Sequence, residues 1–170
     1  MSPIENEEER EVFARYGLAM YMAQVLEHEI VNTLTVLQML PTRESIKDAD
    51  AWATSVDEFM DSQHANTFGT MLKAMEKIDL VPGDLMHDLK TCRSDRDFLA
   101  HNFFRHHANS FMSHPGRQEM LDFVDQARQR FSDVNRALER FKSPLMMRFG
   151  ITQETLDCEF EQMVSELERD

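Results

Sequence analysis

The sequence predicts an all-α protein, an up-and-down bundle of about five to six helices, on three observations. Apolar residues recur three and four positions apart along most of the chain, and no stretch sustains the alternation of a strand. Only five Gly and five Pro occur among 170 residues, so long helical runs stay unbroken. Hydrophobic residues make up 42% and charged residues 29%, the composition of a chain that folds. The length suits one core, so residues 1–170 are expected to form a single domain with the acidic ends, 1–11 and 154–170, at its periphery.

The first helix is expected from about Glu7 to Leu40, with Val12, Tyr16, Ala19, Ala23, Leu26, Ile30, Leu34 and Leu37 on one face and Pro41 as its stop. Asp48 or Asp50 can cap a second helix that turns Trp52, Val56 and Phe59 inward, because a short side-chain oxygen satisfies the open amides of a first turn. Asn66 is the expected cap of a third, carrying Phe68, Met71, Met75 and Ile78. Pro82 suits the first turn of a fourth, whose stripe of Leu85, Leu89, Cys92, Leu99 and Phe103 is expected to run on to about Ser113. A fifth repeats the spacing through Met120, Val124, Ala127, Phe131, Val134, Leu138 and Phe141, which suits antiparallel packing at a shallow angle. After "KSPLMMRFG", Thr152 introduces a short acidic helix with Leu156, Phe160, Met163 and Leu167.

No stretch reaches the roughly 20 apolar residues of a membrane helix. The start "MSPIENEEEREVF" is acidic where a secretory signal is basic, so a cytoplasmic protein without a membrane partner is expected. Cys92 and Cys158 form no metal or disulfide spacing and are expected to be reduced, buried thiols. Di-metal bundles need Glu from two helices and Glu-x-x-His from two more. "DLMH" (Asp84, His87) occurs once and the His of "LEHEI" lies between Glu residues on different faces, so no metal or other cofactor is expected. Gly17 and Gly69 are expected to let helices approach, His106 and His107 to lie at the surface, and Met146 and Met147 to serve the core or a partner surface.

The net charge of −13 argues against sequence-blind coating of DNA or RNA. Residues 5–11 hold five Glu against one Arg, and residues 154–170 seven acids against one Arg. Against this background "RSDRDFLAHNFFRHH", residues 93–107, gathers three Arg and three His. Arg96 occupies a position of the fourth helix that should be apolar, so its guanidinium needs an anion or acceptors. Asp97, His101 and Arg105 follow one another at four and form a polar column, in which Asp97 can orient and polarise the imidazole. Arg96 and His101 lie roughly 140° apart around an ideal helix, a gap that a long Arg side chain closes in part and a second copy of the helix, brought in by a twofold, closes further.

"RDFLAH", with Asn102 and Phe103 after it, resembles the motif of the HEPN superfamily, small helical proteins that include toxin and antiphage ribonucleases. There an Arg, often followed by a polar residue, precedes a His by four to six positions on a late helix of a four- or five-helix bundle. The resemblance is sharp over Arg96 to Phe103 and architectural elsewhere. It implies a homodimer whose two motifs face each other across a cleft, and metal-independent endonucleolytic cleavage of RNA to 2′,3′-cyclic phosphate ends in a toxin–antitoxin or antiphage setting. In that scheme Arg96 holds the phosphate, His101 is general acid or base, Asp97 orients it, and Arg93, Asn102, Arg105 and His106 touch the RNA. Phe103 stands where toxins neutralised by nucleotidyltransferase antitoxins carry Tyr, so a cognate antitoxin or regulator would need another route. The alternative is a catalytically inactive HEPN-like dimer serving as an interaction or regulatory module, in which an internal carboxylate consumes Arg96.

Overall fold

The computed structural model describes residues 7–46 and 48–168. The acidic residues expected before Glu7 and after Glu168 lie outside the described range. Every regular element among the described residues is helical: α1 (Glu7–Met39), α2 (Ala49–His64), α3 (Phe68–Ile78), α4 (Gly83–His101), α5 (Phe103–His106), α6 (His114–Arg148) and α7 (Gln153–Leu167), with 3₁₀ turns at Leu40–Thr42 and Ser110–Met112. None of these helices is long and apolar enough to cross a membrane.

Helices α1, α4 and α6 organise the bundle. Glu8 meets Arg117, Arg15 meets Asp125 and Glu29 meets Lys142, so α6 lies parallel to α1. The Tyr16 hydroxyl meets the Leu99 carbonyl and Glu27 meets Arg96, so α4 descends against α1. Asp95 pairs with Arg130 and Phe98 packs on Phe123, which makes α6 antiparallel to α4 as its spacing predicts. The core contains the expected stripes: Val12, Ala19, Ala23, Leu26, Ile30 and Leu34 from α1, Leu85, Leu89, Cys92 and Leu99 from α4, and Met120, Val124, Ala127, Phe131 and Leu138 from α6. Removing these side chains from water is the main favourable term of folding.

Local chemistry explains most helix ends. Pro41 closes α1 in a 3₁₀ turn. The Asp48 carboxylate accepts from the amides of Asp50 and Ala51 at 2.9 and 3.0 Å, and Thr152 accepts from Thr155. The cap of α3 is Thr67 and not Asn66, whose amide turns back to the Ser62 carbonyl. Pro82 stands one residue before α4, at its cap position. Pro144 does not end α6, which continues to Arg148, although the proline leaves the Arg140 carbonyl without its i→i−4 amide donor.

Several expectations are corrected. The fourth helix does not reach Ser113: α4 stops at His101, Asn102 leaves helical geometry at φ −128°, and α5 restarts at Phe103. Aromatic packing accounts for the turn. Tyr16 stacks against Phe103 and packs tilted against Phe104, and its hydroxyl donates to the Leu99 carbonyl at 3.1 Å, supplying a donor to a last-turn carbonyl that a helix end leaves open. Trp52, Val56 and Phe59 are only half-buried, and α2 buries no residue fully. Gly17 is exposed with no neighbour close enough to explain it, while Gly69 is packed under the Arg93 guanidinium. His107 is half-buried against Phe103. Cys158 is exposed; Cys92 is buried, and burial, reinforced by Asp95, pushes its thiol up to about 12, so it stays protonated and inert.

Gly116, in the first turn of α6, lies so close to the 3₁₀ turn that a Cβ would sit 2.1 Å from the Ser110 carbonyl oxygen. Because the obstacle is backbone, Gly116→Ala is expected to lower the unfolding free energy by about 3 kcal/mol, measured by urea denaturation; a change below about 1 kcal/mol would mean the two segments separate at little cost.

Two titrating groups weaken the fold in acid. Burial, and then His106, hold the His107 imidazole below its ordinary value of 6.5, so the unfolded chain takes up the proton first and stability declines as pH falls below about 6.5. Hydrogen bonds from Arg117 and then His114 hold Glu8 below its ordinary 4.5, a contribution present above that pH and lost as pH falls through the lowered value. Melting temperature is therefore expected to decline from pH 7 to 5, and His107→Phe to flatten that decline; an unchanged slope in the variant would remove His107 as its source.

Candidate functional site

The α4 motif opens onto a concavity of about 530 Å³ lined by Thr67, Phe68 and Gly69 of the α3 start and by Arg93, Ser94, Arg96, Asp97, Phe98, His101 and Asn102. Five of the seven candidate residues thus share one hollow: Arg93, Arg96, Asp97, His101 and Asn102. The other two do not line it. Arg105 and His106 fall on α5 beyond the Asn102 turn, and the His106 ring packs edge-on against Phe98 at 5.5 Å. The break in the helix is what separates Arg105 from the Asp97–His101 column.

Arg96 finds its acceptors inside the chain. Its Nε donates to Glu27 Oε1 of α1 at 2.8 Å and its Nη1 donates to Asp97 Oδ1 at 3.1 Å. The guanidinium Nη2 makes no hydrogen bond with a described residue. Glu27 does not line the hollow; it holds the guanidinium from the α1 side. The arrangement is partly shielded, with the Arg96 and Glu27 side chains 30% and 26% exposed, so the pair is stronger than a surface salt bridge and still open to exchange.

Asp97 serves arginines and not the imidazole. Besides Arg96, it faces Arg93 Nε at 3.6 Å, and no hydrogen bond joins it to His101. The expected Asp–His pair is therefore replaced by an Arg–Asp–Arg–Glu chain. His101, the last residue of α4, is exposed and hydrogen-bonded to no described residue, which leaves both ring nitrogens available to a ligand. Arg93 is placed by Gly69: its Cζ would lie 2.7 Å from a Cβ there, so the missing side chain lets the guanidinium settle over the first turn of α3. The positive end of the α3 dipole, capped by Thr67, points into the same region.

Glu27 and Gly69 were not among the sequence candidates. Glu27 carries a signal, since it stands next to buried Leu26 and four after Ala23, beside the α1 stripe where a carboxylate must meet a partner. Which helix supplies that partner is not encoded locally. Among the described residues, no three His, Cys, Asp or Glu side chains are grouped to hold a metal ion. No family model, curated protein or solved structure matches the chain.

Proposed function

We propose that the chain is a cytoplasmic, HEPN-type, metal-independent endoribonuclease, acting as a homodimer, and that RNA binds in the α3–α4 hollow. The observation that supports this most is that Arg96 and His101 line one cavity although an ideal helix sets them roughly 140° apart. His101 then takes the proton of a ribose 2′-hydroxyl as that oxygen attacks the adjacent phosphorus. The P–O5′ bond breaks, leaving a 2′,3′-cyclic phosphate, and the departing 5′-oxygen receives a proton from the partner copy's imidazole or from water. Glu27 fixes the Arg96 fork, and Nη2, which no described residue engages, faces a non-bridging phosphate oxygen, where charge builds in the transition state. Arg93 and Asn102 flank the phosphate. A setting beside a cognate antitoxin or in antiphage defence suits an activity that must be restrained.

A second reading draws on the same geometry. Arg96 already donates to two carboxylates, the arrangement of an inactive HEPN-like module in which the motif is structural. The readings separate on one assay: purified chain incubated with mixed RNA in EDTA, with products sized and their ends identified by mass spectrometry. Cyclic phosphate ends produced by the wild type and lost in His101→Ala support the nuclease; no cleavage by the wild type selects the module.

A further inference from the structure

Helix α7 carries an apolar face that none of the described residues covers. Leu156, Phe160, Met163 and Leu167 follow at spacings of four, three and four, which puts all four within roughly 60° of arc. Phe160 is 62% and Leu167 71% exposed, and α7 buries no residue fully. An amphipathic helix normally spends such a stripe on a core. Here the stripe leads into a second cavity, of about 520 Å³, between α1, the end of α6 and the first turn of α7. Leu156 belongs to both, and Val36, Met146, Met147 and Ile151 supply further apolar wall. None of the residues lining it lines the Arg96–His101 hollow.

Charge identifies the occupant. Helix α7 holds Glu154, Asp157, Glu159, Glu161 and Glu166 and no Lys or Arg. Asp157 borders the stripe on one side, Glu159 and Glu166 on the other, each within roughly 100° of its centre. Pairing with a second α7 would oppose acid to acid at the flanking positions, where like charges disfavour association. We propose that α7 and the adjoining cavity form a docking surface for a partner protein's amphipathic helix with basic flanks, its apolar residues lying along Leu156–Leu167 and one of them entering the cavity.

The test uses the full chain and three fluorescent synthetic helices. One has Leu at heptad spacing with Lys flanks, the second has Glu for every Lys, and the third is a scrambled order of the first. Anisotropy at roughly physiological salt, where charge effects fall off within about 8 Å, is expected to show saturable one-to-one binding of the Leu/Lys helix, at least about tenfold tighter than its scramble and lost by about tenfold in Phe160→Ser. The acidic twin should not bind. Equal binding of the scramble would reduce the effect to net charge, and no binding, or unchanged affinity in Phe160→Ser, would overturn the proposal. Sedimentation showing a dimer that Phe160→Ser dissociates would also overturn it, assigning the face to a second copy. Since Phe160 is exposed, circular dichroism of the variant should match the wild type.

Discussion

His101→Ala is expected to lower RNA cleavage by about 10²–10⁴-fold, the range that a positioned general acid or base contributes. Its unfolding midpoint should stay near that of the wild type, because the imidazole is exposed and bonded to no described residue. That combination of large kinetic and small thermodynamic effect distinguishes a reacting group from a structural one. Arg96→Lys should also fall in activity while keeping the charge, since an ammonium cannot donate to Glu27, Asp97 and a phosphate along the guanidinium's planar fork. The rate is read with a quenched fluorescent RNA in EDTA, and a His101→Ala protein that cleaves at the wild-type rate would end the nuclease assignment.

Glu29→Ala is expected to cost about 3–5 kcal/mol of stability, a large share of the about 5–15 kcal/mol that holds a typical domain together. Glu29 and Lys142 join α1 to α6 through a hydrogen bond of 2.5 Å, with side chains only 8% and 14% exposed. Deleting the carboxylate leaves a largely shielded ammonium, at the wall of the cavity between α1, α6 and α7, without its counter-charge. Replacing both residues by Met removes the unpaired charge, so Glu29→Met with Lys142→Met should recover most of the loss. Urea unfolding of the two variants measures both quantities. A double variant as unstable as Glu29→Ala would show that the loss comes from packing rather than from the stranded charge.

The architecture was largely legible because a helix writes its buried face into local spacing. Val12 through Leu37 and Met120 through Leu138 appear as stripes at three and four, and both are core. Caps were legible in part: Asp48, one of two candidates, and Thr152 stand at their helix starts, where a short oxygen meets amides two or three residues away, but α3 takes Thr67 in place of Asn66. The candidate site was legible in part for the same reason: Arg93, Arg96, Asp97, His101 and Asn102 are neighbours in sequence and line one hollow.

What spacing did not contain was every feature set between distant residues. Phe103 continues the α4 stripe on paper, so nothing local forecasts the break at Asn102; the ring stack with Tyr16 on another helix accounts for it. That break carries Arg105 and His106 out of the hollow. Glu27 reaches Arg96 across 69 positions of sequence, and Gly116 abuts Ser110 at a contact only the folded path creates. The sequence by itself determined where helices form and which face of each is apolar, because those follow from residues within one or two turns. The tertiary structure alone decided how the helices register against one another, and through that register which carboxylate meets Arg96, where the motif helix ends, and which apolar face stays open.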